Sequence, residues 1–342
     1  MQILITGGAG FIGCNLAAKG IREGHAITVL DNLSRAGSFL NLEWLRSLGK
    51  FDFVEADIRD FDTLSDLLNA QKYDAIFHDS AQVAVTTSVE DPRTDFEINA
   101  LGTFNLLEAI RLSESDPVLI YASTNKVYGA LPSLNIGEKN GRYSFRDQPD
   151  GVPETMPLDF HSPYGCSKGA AEQYVLDYRR IYGLRSIVFR QSCIYGPRQM
   201  GVEDQGWVAW FAICASFGRS ISIFGDGKQV RDLLHIDDLV DLHYRAIEME
   251  PQLDMFAFNV GGGPGCAASL LEIINLIEEK TDRPIELNFA DWRPGDQKVY
   301  ISDIRALKEK LSWSPRMPLS DGIGLLLDWI RENGEMLKKN IK

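Results

Sequence analysis

The chain alternates short apolar runs with longer segments in which apolar residues recur at three- and four-residue spacing. The runs predict β-strands at about 2–6, 26–31, 51–55, 74–78, 117–122, 186–190 and 256–260. The periodic segments between the early runs predict helices at 11–23, 61–70 and 99–112. Alternation of this kind predicts an α/β fold, a Rossmann-type doubly wound parallel sheet with a smaller, mostly C-terminal lobe.

A glycine-rich turn follows the first apolar run. Gly8, Gly10 and Gly13 form Gly-x-Gly-x-x-Gly directly after Ile3-Leu4-Ile5. In such a turn the backbone approaches a dinucleotide pyrophosphate, and the N-terminus of the following helix faces its charge. Asp31 ends the second run, at the position of an acid that binds the adenosine ribose hydroxyls. A carboxylate there repels a 2′-phosphate, so we expect NAD rather than NADP.

A second group of residues has the side chains that proton transfer requires. Tyr164 and Lys168 are four residues apart and share one face of a predicted helix. A nearby ammonium and a positively charged nicotinamide both favour a phenolate, which makes this pair a base. Thr124 ends the run 118–124 at the sheet edge where such folds bind ligands.

Together with Gly7-x-x-Gly10-x-x-Gly13, these motifs resemble the extended short-chain dehydrogenase/reductase family from residue 1 to about 330. The resemblance implies tightly held NAD, with Thr124, Tyr164 and Lys168 as the catalytic residues. If Tyr164 proves not to transfer the proton, His161 is the first alternative candidate for the base. It also implies cofactor contacts from Gly7, Gly10, Phe11, Ile12, Gly13, Asp31, Asn32, Asp57, Ile58, Asn99, Tyr164 and Lys168. The alternative for Asp57 and Asn99 is that they are ordinary capping residues.

Composition limits the kinds of binding partner and the cellular location that we expect. A net charge of −13 argues against nucleic acid and acidic membranes as partners. No uncharged apolar stretch is long enough to span a membrane, and no signal peptide is evident, so we expect a cytoplasmic protein. The five cysteines are scattered, which fits a reducing compartment and no metal site.

Several segments of the sequence indicate the reaction and the class of substrate. Dehydratases of this family carry Thr-Asp-Glu where this chain has Thr124-Asn125-Lys126, so elimination of water is disfavoured and epimerisation remains. Arg231 and Arg293 are the better candidates for diphosphate binding, ahead of Arg190 and Arg198. The resemblance thus assigns substrate contacts to Asn125, Lys126, Gln205, Trp207, Arg231 and Arg293. Trp207 alternatively belongs to an apolar core stripe.

We therefore predict an isomerase, an NAD-dependent nucleotide-sugar epimerase that oxidises and re-reduces its substrate. Segments 160–169 and 204–208 resemble epimerases that act at C2 of a CDP-linked 3,6-dideoxyhexose, in deoxysugar biosynthesis. The alternatives are a nucleotide-hexose 4-epimerase and a non-catalytic NAD-sensing interaction protein. Relatives commonly form homodimers or homotetramers, and we expect the same here.

The domain division follows from these assignments. We expect an NAD-binding domain at 1–190 with returns at about 231–260, and an interleaved substrate-binding lobe at 191–342. The polar stretch 135–150 is either a mobile excursion or an ordered surface loop.

Overall fold

The computed structural model describes residues 1–293 and 297–340. The strands are β1 (Gln2–Thr6), β2 (Ala26–Asp31), β3 (Asp52–Glu55), β4 (Ala75–His78), β5 (Val118–Thr124), β6 (Ile136–Lys139), β7 (Arg142–Phe145), β8 (Ser186–Gln191), β9 (Cys193–Tyr195), β10 (Ile221–Phe224), β11 (Val230–His235), β12 (Ala257–Val260), β13 (Ala267–Ser269), β14 (Leu287–Ala290) and β15 (Val299–Tyr300).

The α-helices are α1 (Phe11–Arg22), α2 (Ser38–Leu48), α3 (Phe61–Ala70), α4 (Val85–Glu90), α5 (Pro92–Phe96), α6 (Gly102–Leu112), α7 (Ser162–Tyr182), α8 (Trp207–Phe217), α9 (Ile236–Met249), α10 (Leu270–Thr281), α11 (Arg305–Leu311), α12 (Leu319–Glu332) and α13 (Gly334–Asn340). A π-helical turn, Glu97–Leu101, joins α5 to α6, and short 3₁₀ turns occupy Asn125–Tyr128, Glu250–Gln252 and Pro264–Cys266.

Seven strands form one sheet in the order β12-β8-β5-β4-β1-β2-β3. The pairs β1–β2, β1–β4, β2–β3 and β4–β5 are parallel, with Ile3 opposite Ile27 on one side and Ala75 on the other. The predicted Rossmann-type fold is confirmed. All seven strands lie within a residue or two of the predicted runs, because strands covered by helices on both faces are apolar along their whole length.

The chain divides into two compact units. Unit 1 comprises residues 1–127, 160–190 and 240–258, and unit 2 comprises residues 128–159, 191–239 and 259–342. This division differs from the expected one in two places. Residues 128–159 belong to unit 2 although they precede Tyr164, and the return to unit 1 begins at 240 rather than near 231.

Unit 1 contains a core on the face of the sheet that α3, α6 and α7 cover. Leu4, Ile76 and Leu119 from the central strands pack there with Leu106 of α6 and Val175 of α7, all of them buried. This packing fixes α7, the helix that carries Tyr164 and Lys168, against the sheet.

Unit 2 has its own core and several small sheets. Helices α8, α10 and α12 bury Ile213, Ile274 and Leu326 together. Strands β6 and β7 pair as an antiparallel hairpin, with Ile136 opposite Phe145. The hairpin lies within the polar stretch 135–150.

Candidate active site

The glycine turn after β1 has the geometry that its spacing predicts. Gly7 adopts φ +69°, a left-handed conformation that favours glycine, and its N–H donates to the Leu30 carbonyl at 2.8 Å. A Cβ on Gly13 would lie 2.6 Å from the Cα of Gly8, so helix and turn approach too closely for a side chain. At Gly10 an added Cβ would meet a single atom, the Gly7 oxygen. The open side of Gly10 is the cradle expected for a dinucleotide pyrophosphate.

Asp31 ends β2 and is buried. Its carboxylate accepts hydrogen bonds from the N–H groups of Ala9 at 3.0 Å and Leu33 at 2.8 Å. Burial raises the pKa of Asp31, while these backbone donors oppose the rise. The carboxylate thus lies beside the glycine turn, where the sequence analysis expects a ribose-binding acid.

Asn32 and Asp57 lie together although they follow different strands. Asn32 donates through Nδ2 to Asp57 at 2.8 Å. Arg59 donates to both Asp57 oxygens, and these bonds hold the pKa of Asp57 at about 2. Ile58 is buried against Gly102. Phe11 and Ile12 open α1 and are half-buried.

The π-helical turn positions Asn99. Its side chain is fully buried, and its amide nitrogen lies 3.0 Å from the Gln82 carbonyl and 3.1 Å from both Asp95 and Ser167. Ser167 in turn donates to Asp95 at 2.5 Å. The network connects the turn to α7 immediately beside Lys168, a connection that the local helical pattern of the sequence does not reveal.

Thr124, Tyr164 and Lys168 are brought together at the carboxyl end of β5. Thr124 lies close enough to Tyr164 to affect the pKa of its phenol, and all three residues are buried. The ammonium of Lys168 lies 4.4 Å from the ring centroid of Tyr121 on β5, a cation–π contact. The Ser88 hydroxyl accepts from the Tyr164 N–H at 3.2 Å and anchors the start of α7.

Burial dominates the titration of this group. It raises the pKa of Tyr164 to about 12, although Thr124 acts in the opposite direction. It lowers the pKa of Lys168 to about 8, against the negative charges of Asp79, Asp95 and Glu172. Tyr164 therefore carries its proton at neutral pH, and the expected phenolate is not the resident form of the protein itself.

Asn125 and Lys126 follow Thr124 in a 3₁₀ turn. The Thr124 hydroxyl lies 3.4 Å from the Asn125 side-chain oxygen and accepts from the Lys126 N–H at 3.2 Å. Asn125 is buried next to Thr124, whereas Lys126 is half-buried.

The substrate candidates of unit 2 are spread over separate elements. Gln205 is bridged to Val202, and Trp207 opens α8 with its ring 5.3 Å from that of Phe211. Trp207 packs partly against the unit 2 core, as the core-stripe alternative expects. Arg231 is buried in β11 and donates to the Val230 carbonyl.

Two candidate arginines already have anionic or aromatic partners. Arg293 pairs with Asp204 at 2.7 Å and lies 3.8 Å from the Phe224 ring centroid. Arg190 forms a buried ion pair with Glu172 at 2.6 Å, so its charge is matched within unit 1. The motif that contains Arg293 continues at 294–296, outside the described residues.

Sequence reasoning missed three polar residues around Lys168. Asp95 and Glu172 are buried and hydrogen-bonded, to Ser167 and to Ser123 respectively. Asp79, directly after β4, is the third. No motif marks them, although the polar run after the apolar strand 75–78 was a signal for Asp79.

Comparison with known proteins defines the class. Residues 3–261 match the NAD dependent epimerase/dehydratase family, and the chain belongs to this family. The predicted family, enzyme class and cofactor are thereby confirmed, and the non-catalytic alternative is set aside. The chain is an NAD-dependent nucleotide-sugar epimerase.

Individual relatives are similar over nearly the whole chain. The CDP-paratose 2-epimerase of Salmonella typhi is 45% identical over 334 residues, which cover 96% of this chain and 99% of that protein. The crystal structure of UDP-glucose 4-epimerase from Thermotoga maritima with UDP-glucose has a TM-score of 0.83 and 31% identity, covering 97% of this chain and 99% of that one. The Thermus thermophilus UDP-glucose 4-epimerase complex with NAD has a TM-score of 0.80, 31% identity and the same coverages.

Two features are absent from the described residues. None of the helices within 1–293 and 297–340 is both long and apolar enough to cross a bilayer. The same residues contain no group of His, Cys, Asp and Glu side chains suited to holding a metal ion.

Proposed function

We propose that the enzyme inverts C2 of a CDP-linked 3,6-dideoxyhexose and converts CDP-paratose to CDP-tyvelose. The observation that carries this proposal is the 45% identity to CDP-paratose 2-epimerase across nearly the full length of both chains. The buried Thr124, Tyr164 and Lys168 supply the chemistry that such a reaction requires.

In this proposal each catalytic residue has one task. Thr124 orients the hydroxyl oxygen that reacts, and Tyr164 exchanges a proton with that oxygen. Lys168 keeps a positive charge near Tyr164 and holds the ribose on the nicotinamide side of the cofactor. NAD, when bound, supplies the hydride acceptor and a positively charged ring. The glycine turn and Asp31 bind and orient it.

Unit 2 is proposed to hold the nucleotide-diphosphate sugar. Arg231 and Arg293 offer guanidinium groups suited to bidentate contact with phosphate oxygens. Because Arg293 is paired with Asp204, phosphate would have to compete with that carboxylate. Gln205 and Trp207 complete the proposed contacts, with the indole as an apolar wall for a sugar that lacks two hydroxyls.

A nucleotide-hexose 4-epimerase is the second candidate, favoured by the similarity to two UDP-glucose 4-epimerases. The purified enzyme should be incubated separately with CDP-paratose and UDP-glucose, and the products identified by NMR. We expect inversion at C2 of the CDP-sugar. Conversion of UDP-glucose alone, with CDP-paratose unchanged, would contradict the proposal.

The route of inversion has its own test. C2 has no adjacent carbonyl, so its C–H is too weak an acid for a tyrosine base. We expect no deuterium at C2 after conversion in deuterium oxide, and full retention of a deuterium label placed at C2 of the substrate. Entry of solvent deuterium at C2 would exclude oxidation and re-reduction.

Dehydration is excluded in this proposal. Asn125 cannot protonate a leaving hydroxyl, and Lys126 stands where elimination would use a carboxylate base. Incubation with CDP-glucose should therefore yield no stable 4-keto-6-deoxy product.

We also propose that a second copy of the chain covers an exposed apolar surface of α7. Tyr174, Ile181 and Tyr182 are each at least half exposed there, with Leu112 of α6 also exposed. Light scattering should give the mass of a homodimer or homotetramer, and a monomer at micromolar concentration would contradict this.

A further inference from the structure

The carboxylate of Asp79 is the least accounted-for polar group near the active site. Both of its oxygens are buried, and neither has a hydrogen-bond partner among residues 1–293 and 297–340. Burying a carboxyl group without a partner costs free energy, so native proteins rarely retain one without use.

Two neighbouring carboxylates show the contrast. Asp79, Asp95 and Glu172 all act electrostatically on Lys168. Asp95 accepts from Ser167, and Glu172 accepts from Arg190. Those two acids are satisfied within the fold, whereas Asp79 is not.

The topology places Asp79 where a cofactor crosses the sheet edge. Strand β4 lies between β1, which leads into the glycine turn, and β5, which ends at Thr124. The Asp79 N–H donates to the Thr6 carbonyl at 3.1 Å, and its carbonyl carbon would lie 2.8 Å from a Cβ on Gly7. Asp79 therefore lies between the cradle for the pyrophosphate and the catalytic lysine.

We propose that Asp79 is a further cofactor-binding residue, whose carboxylate accepts a hydrogen bond from a ribose hydroxyl on the nicotinamide side of NAD and faces the ammonium of Lys168. The chemistry selects a hydroxyl because a carboxylate repels the diphosphate, and the ribose hydroxyls are the hydrogen-bond donors between diphosphate and nicotinamide. This role depends on NAD binding alone and is independent of which sugar the enzyme converts.

Few neighbouring groups titrate between pH 6 and 9. Burial raises the pKa of Asp79 to about 7 and lowers that of Lys168 to about 8. Burial also keeps His78 neutral, with a pKa of about 3, and keeps Tyr164 protonated. Asp95 and Glu172 complete the charged surroundings of Lys168.

The sign of the pH dependence follows from these values. If bound NAD donates to the carboxylate, ionised Asp79 is the binding form, and NAD should be held more tightly as pH rises through about 7. Above about 8 the loss of the Lys168 charge should weaken binding again. If Asp79 were instead neutral and donated to a phosphate oxygen, NAD would be held less tightly as pH rises through about 7.

The test uses the holoenzyme and measures release of bound NAD into an excess of isotopically labelled NAD, followed by mass spectrometry from pH 6 to 9. We expect Asp79→Asn to release NAD about tenfold faster or more. Its NAD release should no longer change with pH near 7, but should still become faster above about pH 8. Asp74→Asn is the matched control, because it makes the same change on an exposed residue at the other end of β4. Its release rate should equal that of the wild type.

A second variant separates binding from packing. Asp79→Leu removes the buried charge, so we expect its unfolding temperature to match or exceed that of the wild type while NAD is released faster. Unchanged NAD release in both variants would overturn the proposal. The carboxyl group would then serve packing or bind only an ordered water. Faster NAD release from the wild type as pH rises through about 7 would overturn it as well.

Discussion

The tripeptide Asp-Ile-Arg occurs once in each unit, at 57–59 and at 303–305, and forms the same local hydrogen bonds both times. In each copy the arginine N–H and guanidinium donate to the aspartate two residues earlier. The surroundings differ. Asp57 is also bonded by Asn32 from the end of a neighbouring strand, whereas Arg305 reaches Asp150. Local sequence determines the shared bonds, whereas the end of the neighbouring strand determines that Asn32 bonds to the first copy.

The same contrast holds for the two units as a whole. In unit 1 the candidate catalytic residues lie at the carboxyl end of a parallel strand or on the helix beside it. The acids Asp31 and Asp57 lie at or just beyond the carboxyl ends of other strands. In unit 2 the substrate candidates lie on a bridge, a helix start, a strand and a loop. A parallel sheet collects residues from distant parts of the chain at one edge. Unit 2 contains the parallel pairs β9–β11, β11–β15 and β10–β14, but its candidates do not gather at one end of those strands, and they depend on resemblance.

The largest expected effect is on chemistry in unit 1. Tyr164→Phe removes one hydroxyl and little contact area, so we expect turnover to fall about 10²- to 10⁴-fold while bound NAD is retained. Tyr244→Phe is the control, because it removes a buried hydroxyl bonded to the Leu16 carbonyl. Steady-state kinetics and the NAD released on denaturation measure both effects. Substantial activity in Tyr164→Phe would remove the tyrosine from proton transfer.

Next in size are the two arginine–carboxylate pairs. Arg190→Met leaves Glu172 buried and unpaired, and should lower the free energy of unfolding by about 3–5 kcal/mol. Arg293→Met breaks a partly exposed pair and should cost no more than about 1 kcal/mol, but it should raise the KM for the nucleotide sugar. Denaturant unfolding and kinetics separate the two. An unchanged KM in Arg293→Met would remove this arginine from the substrate site.

A smaller effect distinguishes two glycines. Gly13→Ala places a methyl group against Gly8, and should lower the free energy of unfolding by about 1–3 kcal/mol and weaken NAD binding. Gly265→Ala in unit 2 meets no atom within 4 Å. Thermal unfolding with and without added NAD compares them. Equal behaviour of the two variants would show that the turn after β1 tolerates a side chain.

The smallest effect returns to the repeated tripeptide. The bonds from Arg59 depress the pKa of Asp57 to about 2, so its ionised form stabilises the fold above pH 4, and this contribution is lost as pH falls towards 2. Because the pair is partly exposed, Asp57→Asn should cost about 1 kcal/mol or less at pH 7. NAD titration should show weaker binding for Asp57→Asn and no change for Asp303→Asn. A loss of affinity in both would mean that the two copies act through stability.

The sheet and the cofactor turn are predictable from sequence because each rests on a rule of backbone geometry. Strands buried on both faces need apolar runs, and the close approach of Gly13 to Gly8 excludes a side chain. The hairpin 136–145 was not predictable as strands, since its polar residues lack an apolar run. The π-helical turn has the same apolar spacing as an α-helix, so the position of Asn99 inside it was hidden.

Side-chain partners were the least predictable feature. Nothing in the sequence around Arg190 distinguishes a phosphate ligand from the buried partner of Glu172, because the two residues meet only after α7 packs on the sheet. For Asp79 the polar run after β4 marks only the end of the strand. That both carboxylate oxygens are buried without a hydrogen-bond partner is visible only in the folded structure.

The sheet is completed late in the chain. Strand β8 receives its outer neighbour only from β12, whose approach is seen in the bond from the Val188 N–H to the Phe256 carbonyl at 2.7 Å. About 65 residues, 192 to 256, separate the two strands. At a synthesis rate of roughly 5–20 residues per second, a ribosome needs about 3–13 s to make them. During that interval the nascent chain already contains Thr124, Tyr164 and Lys168, yet its sheet presents an unpaired apolar edge to chaperones and to other nascent chains.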